Sequence, residues 1–374
     1  MPSPFPPGHR VVVSEFGHTP QEALERFVSL QPQPAPDPAQ LEATEVIIGV
    51  RSAGVAWVDL LMTSGQYQHM PAPPYTPGMD FSGEILAVGS GVDPARCAVG
   101  DRVIVDFMQV GPRTHGRYAR AAGFASYAVV PAAATVRIPD PLDFDQAACL
   151  LGAYETAYHC LVTRARVQAG ETVLIAGATG KTGLAAVQVA KLLGATVIAL
   201  GRASPKLAAM RAHGADHVVD STNEDGSPGV RRFRDEVKAL TGGQGVDVVY
   251  DAVGGDTGLE CLRCCAFDAR FLIVGWASTP DVARGKGGRG APNANLLPTN
   301  IMQMKQLSVL GCPAVISVTR RPEIRAPRLA AVLEWAQQGR IAPVVSRSWP
   351  LPEWKAAMLA RWNGEILGGG VLKP

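Results

Sequence analysis

The stretch TVLIAGATGKTGLAAVQVAKLLG, Thr172–Gly194, decides the fold. An apolar run from Val173 to Ala176 enters a glycine turn and leaves it as an alanine-rich segment with helical spacing. In such a strand, turn and helix the amides of the turn and of the first helical residues point at an anion, whose charge the helix dipole favours. Gly177, Ala178, Thr179, Gly180, Lys181, Thr182 and Gly183 are therefore the expected pyrophosphate cradle of a dinucleotide. Gly180 lets the backbone approach the phosphates, and Gly183 lets the helix pack closely on the strand. The spacing is G-x-x-G-x-x-G, with Ala178 at the first glycine of the commoner fingerprint. Gly180, Lys181 and Thr182 also spell the end of a P-loop. Its leading glycine would fall at Ile175, inside the strand, which argues against an NTPase.

The next strand, TVIAL, ends where proteins of this kind read the ribose of the cofactor. An NAD site places a carboxylate there for the 2′-hydroxyl. This chain has Gly201 and Arg202, then Ser204 and Lys206, a set suited to the 2′-phosphate of NADPH. The alternative is that Arg202 and Lys206 are a solvated loop and helix start. Downstream, HVVD, DVVYDAVG, RFLIVG and SVLGC alternate with helical patterns, which predicts a doubly wound parallel sheet. Nucleotides lie across the carboxyl ends of such strands, so Val253, Gly254, Gly275 and Trp276 are expected near the nicotinamide. Trp276 is alternatively plain cleft lining.

Upstream, from Val11 to about Pro139, short β-branched runs alternate with glycine and proline turns, the pattern of a mainly antiparallel β domain. Gln31 to Ala39 is proline-rich and reads as an exposed linking loop. A long apolar helical stretch from Asp143 marks the junction. The expected domains are residues 1–140, 141–319 and a tail 320–374 containing a helix from Arg325 to Gln338, a strand near Ile341 to Ser346 and a terminal strand.

Composition narrows the partners. The 374 residues are 47% hydrophobic and 18% charged with a net charge of +2, which supports two cores but no electrostatic footprint for nucleic acid or an anionic membrane. A small-molecule substrate is expected. The proline-rich start lacks the pattern of a secretory signal, no stretch has the length of a membrane span, and seven cysteines in mostly apolar segments read as reduced thiols, so a cytoplasmic location is expected. Cys261, Cys264 and Cys265 would share a helix face, but without a second ligand pair they read as small buried hydrophobes. His159, His213 and His217 read as structural or surface residues, no G-x-S-x-G elbow occurs, and no metal is expected.

These residues resemble the zinc-independent medium-chain dehydrogenase/reductases, quinone oxidoreductase-like branch. The markers are AGVAWVDLLMTSGQY (Ala53 to Tyr67), TPGMDFSGEI (Thr76 to Ile85), VGDRV (Val99 to Val103), GFASYAVVPA (Gly123 to Ala132), TAYHCLVTRARVQAGETVLIAGATGKTG (Thr156 to Gly183) and VYDAVGGD (Val249 to Asp256). The resemblance implies an α/β fold: a GroES-like β domain, to which the C-terminal tail returns, and a Rossmann-type domain inserted between. It places nicotinamide and substrate between them, and implies a homodimer paired through the strand around Leu307 to Cys312. Zinc-binding members carry cysteine, histidine and cysteine where this chain has Ala56, Asp80 and a position near Gly152, so the resemblance implies no catalytic zinc. Cys97 alone stands where a structural zinc lobe would be.

Without a Lewis acid, the accessible chemistry is hydride delivery from NADPH to an electron-poor acceptor, a quinone or an α,β-unsaturated carbonyl compound. The resulting enolate needs a donor at its oxygen and a proton at carbon. The resemblance matches Tyr67 to a tyrosine near the substrate of enoyl-thioester reductases; a phenol donates at neutral pH, and the alternative is that Tyr67 only lines the pocket. Relatives carry asparagine at the place of Ala56, so Ala56 and Trp57 make that substrate wall apolar. The arginine-rich segment from Phe107 to Ala122 reads as a solvated loop, or as a lid offering Arg113, Arg117 or Arg120 to an acidic substrate group. GKGGRGAPNAN, Gly285 to Asn295, is expected to be a loop beside the cofactor. Two other readings stay open: an enoyl-thioester reductase, and a non-catalytic NADPH-binding redox sensor.

Overall fold

The computed structural model describes residues 3–67, 70–202, 205–278 and 295–374. Ser204 and most of the Gly285 to Asn295 segment lie outside these residues; Asn295 lies within them. Two compact units form, one from the described residues of Met1–Gly152 and Ala342–Pro374, the other from those of Ala153–Val282 and Ala291–Ile341.

The first unit begins with β1 (Gly8–Val13) and β2 (Val28–Gln33), an antiparallel pair in which Pro32 sits opposite His9. The start of the expected linking loop is thus a strand. A two-stranded ribbon has only edges, where proline's missing N–H costs little. There follow β3 (Glu45–Gly54), β4 (Asp80–Val88), β5 (Arg102–Val105), β6 (Tyr127–Pro131) and β7 (Thr135–Arg137), all antiparallel to their partners. The inner faces of β3 and β4 contribute Val46, Ile48, Phe81 and Ile85 to a dry core.

The second unit contains β8 (Thr172–Ala176), β9 (Thr196–Gly201), β10 (His217–Asp220), β11 (Val246–Asp251), β12 (Cys265–Ile273) and β13 (Ser308–Gly311). All pair in parallel, in the order β10-β9-β8-β11-β12-β13, the doubly wound Rossmann arrangement. Helices cover both faces of such a sheet, so its central strands are apolar throughout. Val173, Leu174, Ile175 and Ala176 are all fully buried, and Leu174, Ile198, Val249 and Phe271 share one core with Phe233 and Leu262.

The chain then returns to the first unit as β14 (Val345–Pro350), a helix Trp354–Trp362 and β15 (Gly369–Lys373), which extend the sheet to β14-β15-β3-β4-β5-β7. The GroES-like β domain and the Rossmann domain are both present. The unit junctions fall later in the chain than residues 140 and 319. Phe144–Ala147 stays with the β sheet because Ser82 Oγ donates to the Phe144 carbonyl at 2.6 Å. The helix Arg325–Gln337 stays with the Rossmann sheet because Arg325 and Arg328 pair with Glu155, at 3.1 Å and 2.9 Å. The long helical stretch from Asp143 is three pieces: Phe144–Ala147, Leu151–Tyr158 and a π-helical turn, His159–Arg164.

Candidate dinucleotide and substrate sites

In the Rossmann unit Gly177 leaves β8 at φ +73°, a left-handed conformation that favours glycine. The amides of Gly177 and Ala178 both donate to the Leu200 carbonyl, at 3.1 and 3.2 Å, and Gly180 N–H donates to Gly177 O at 3.0 Å. The turn is therefore tied to β9 and closed on itself. The helix Lys181–Leu192 begins at Gly180, and no side chain caps it. A glycine N-cap that places no side chain over the helix N-terminus is the arrangement that suits a pyrophosphate. A Cβ on Gly183 would lie 2.1 Å from Gly177 O, so only glycine lets the helix start this close to the strand. Thr179, Lys181 and Thr182 are half-buried around this turn.

Gly201 closes β9, and its carbonyl accepts Ser221 N–H at 2.9 Å and Ser221 Oγ–H at 3.1 Å. Arg202 follows it, exposed, and Lys206 lies half-buried in the helix Pro205–Ala209. No carboxylate occupies the end of β9 itself.

At the ends of β11 and β12 the structure supplies a positioning residue the sequence reading missed. Asp251 Oδ1 accepts the amides of Val253 at 2.9 Å and Gly254 at 2.8 Å, and Asn295 Oδ1 accepts Gly255 N–H at 2.6 Å. Gly254 has φ +72°, and a Cβ there would meet Asn295 Oδ1 at 2.6 Å and the Trp276 Cα at 3.2 Å. Gly275 N–H donates to the Asp251 carbonyl at 3.2 Å. One buried carboxylate and its own carbonyl thus hold both turns. Burial raises the Asp251 carboxyl above its ordinary value, against the two amides that lower it. The turns at 177–183, 201–202, 253–254 and 275–276 all follow neighbouring parallel strands and so lie along the carboxyl edge of one sheet.

In the GroES-like unit Ala56 precedes the helix Trp57–Thr63, its amide donating to Asp59 Oδ2 at 3.0 Å. The other Asp59 oxygen accepts Gly78 N–H at 3.0 Å and Met79 N–H at 3.4 Å, fixing the loop that leads into β4. Trp57 stacks on Trp362, ring centroids 5.1 Å apart and planes 2° from parallel. Tyr67 is half-buried and its Oη accepts a bond from Arg113 Nη1 at 3.3 Å, while the Arg113 guanidinium lies 4.8 Å over the Phe107 ring. Asp80 is buried at the start of β4, and a Cβ on Gly152 would meet both its carboxylate oxygens at 2.8 Å.

The arginine-rich segment leaves His115, Gly116, Arg117 and Arg120 exposed, but ion pairs tie it to the rest of the unit. Arg117 pairs with Glu42 and with the fully buried Glu45, and Tyr118 Oη donates to Glu45 at 2.9 Å. Arg117 is thus engaged within the unit. Cys261, Cys264 and Cys265 are buried; the first two lie on the helix Gly255–Cys264 and the third opens β12. Burial pushes the Cys265 thiol up to about 12 and raises the other two. Among the described residues no three histidine, cysteine, aspartate or glutamate side chains come together as a metal site, and no helix is long and apolar enough to cross a membrane.

Two family models match the chain: an alcohol dehydrogenase GroES-like domain over residues 42–140 and a zinc-binding dehydrogenase over residues 182–325. A quinone oxidoreductase-like protein 2 homolog of Nematostella vectensis is 33% identical over 83% of this chain and 76% of its own. A mycobacterial protein solved as a complex with NADPH is 27% identical, with a TM-score of 0.75 over 98% of this chain and 100% of that one. An NAD-dependent alcohol dehydrogenase structure is 26% identical, with a TM-score of 0.76 over 98% and 99%. The fold and these matches define a medium-chain dehydrogenase/reductase. The chain belongs to the quinone oxidoreductase-like family of that superfamily, and it is an oxidoreductase.

Proposed function

We propose that this oxidoreductase takes NADPH and reduces a quinone or an α,β-unsaturated carbonyl compound. The observation that carries the cofactor choice is the end of β9, where Gly201 is followed by the exposed Arg202, with Lys206 in the next helix, and where an NAD site has its carboxylate. The uncapped helix at Lys181 and the missing Cβ of Gly183 support the pyrophosphate assignment to residues 177–183. Asp251 supports Val253, Gly254, Gly275 and Trp276 as the residues on the nicotinamide side by holding the two turns that carry them.

When bound, the nicotinamide supplies a hydride. The chain's own task is to orient the acceptor and to stabilise charge on its oxygen. Tyr67 is the proposed donor, with Arg113 donating to its Oη and so helping to position the phenol. Ala56 and the Trp57 ring, held against Trp362, are the proposed apolar wall for the substrate. The family zinc positions support chemistry without a Lewis acid, because Ala56 offers no ligand and Gly152 has none beside Asp80. This favours acceptors already electron-poor. A homodimer paired through the edge strand β13 and a cytoplasmic location complete the proposal.

The test is NADPH consumption by the chelator-treated protein with quinones, enones and enoyl thioesters. Turnover on quinones or enones supports the reading, and turnover confined to enoyl thioesters replaces it with the thioester reductase. NADPH binding without turnover on any of them makes the protein a sensor.

A further inference from the structure

The segment 107–122 holds three arginines, and their surroundings differ. Arg117 has its carboxylates in Glu42 and Glu45, and Arg120 is exposed. Arg113 is half-buried, and among the described residues its one hydrogen bond runs from Nη1 to Tyr67 Oη, at 3.3 Å. Its Nε is buried with no acceptor. The Phe107 ring, 4.8 Å from Cζ, attracts the cation but offers its N–H groups no oxygen. Arg361 in the same unit shows the structural alternative: its Nε and Nη2 donate to the Val55 and Gly368 carbonyls, at 3.0 and 2.9 Å. Folds leave few buried donors unmet, and one left beside a candidate catalytic side chain points to a ligand that meets it. The loop that carries Arg113 is braced on both sides. Gly111 N–H donates to Tyr118 O at 3.0 Å, Thr114 N–H and Oγ–H donate to Gly111 O at 2.9 and 2.8 Å, and Tyr118 Oη donates to Glu45 at 2.9 Å.

We propose that Arg113 binds a carboxylate carried by the hydride acceptor, so that the substrate is an electron-poor carbonyl compound with an acidic group a few bonds from its carbonyl. This rests on the reading of Tyr67 as the donor to the carbonyl oxygen, because the 3.3 Å contact sets the two recognition groups side by side. A carboxylate is planar and presents two oxygens to the guanidinium fork, giving a charge-assisted pair where the unit supplies none. One cation without a counter-charge matches the single charge of a carboxylate rather than the two of a phosphate. A site that holds such a donor rejects the analogue that leaves it unmet, so Arg113 selects for acidic acceptors over their neutral esters.

The experiment compares acetylacrylate, an enone with a carboxylate, with its methyl ester as acceptors for the full chain and NADPH. The ester is intrinsically the more electrophilic, so a preference for the acid reports recognition. Wild type is expected to favour the acid by at least about tenfold in kcat/KM, mainly through KM. Arg113→Met is expected to slow both acceptors, since Tyr67 loses its partner, and to abolish the preference for the acid, while Arg113→Lys keeps part of it. A second arm needs no turnover: levulinate, the saturated acid, is titrated into the NADPH-bound protein and thermal unfolding is followed. Levulinate is expected to protect wild type and not Arg113→Met, and methyl levulinate to protect neither. Protection of wild type by levulinate with no turnover of either acceptor would keep the carboxylate site and sink the reductase reading. Turnover without a preference for the acid in wild type, a preference unchanged in Arg113→Met, or protection by levulinate that is absent or survives the loss of Arg113 overturns the proposal and leaves the reductase reading standing. The wild-type comparison decides alone if circular dichroism shows a variant unfolded.

Discussion

A Cβ built on Gly183 would lie 2.1 Å from the carbonyl oxygen of Gly177. That carbonyl belongs to the turn itself, held by Gly180 N–H, so it has nowhere to retreat. Gly183→Ala is therefore expected to push the helix Lys181–Leu192 off β8, at a cost of about 1–3 kcal/mol. Thermal unfolding and a dinucleotide titration check this: both stability and affinity fall. An alanine variant as stable and as tight-binding as wild type would mean that the close approach is not required.

Tyr67→Phe removes the proposed proton donor while keeping the ring. The expected effect on an enone substrate is a fall in kcat of roughly a hundredfold with KM little changed. Unchanged turnover would leave Tyr67 as pocket wall alone.

Glu155 is 2% exposed and pairs with Arg328, 3% exposed, and with Arg325. Removing the carboxylate leaves a buried guanidinium without its counter-charge. Glu155→Ala is expected to cost about 3–5 kcal/mol in denaturant unfolding. A loss no larger than that of an exposed pair, such as Arg347→Ala, would contradict this account of the helix Arg325–Gln337.

His159 lies beside the same cluster. Burial, with Arg328, Arg164 and Arg321 around it, lowers its pKa from 6.5 to about 4. The unfolded chain therefore binds the proton more readily than the folded one between these values. This contribution to stability is complete above pH 6.5 and is lost as pH falls toward about 4. Urea unfolding of wild type and His159→Gln across that range checks the sign: the wild type alone shows the extra decline. Parallel curves would place the proton elsewhere.

The Rossmann half was legible because every feature it needs is local in sequence. Strand periodicity, the glycine turn and the residue after β9 each read out within a few positions, and parallel strands buried on both faces announce themselves as apolar runs. What the sequence hid depends on distant partners. Asp251 looks like the end of a strand until its carboxylate is seen to hold Val253 and Gly254. Arg117 looks solvated until Glu42 and Glu45, more than seventy residues earlier, come beside it. The helix Arg325–Gln337 belongs to the Rossmann unit through Glu155, a contact no periodicity signals. Pro32 misled the reading because an edge ribbon tolerates proline in a strand.

The central claim is that the end of β9 selects NADPH. It is tested most directly by titrating wild type and Arg202→Ala with NADPH and with NADH under the same salt conditions. The account predicts that wild type binds NADPH at least about tenfold more tightly than NADH, a difference of about 1.4 kcal/mol, and that the variant loses most of this preference by weakening NADPH alone. Equal affinities in the wild type, or an unchanged ratio in the variant, would contradict it.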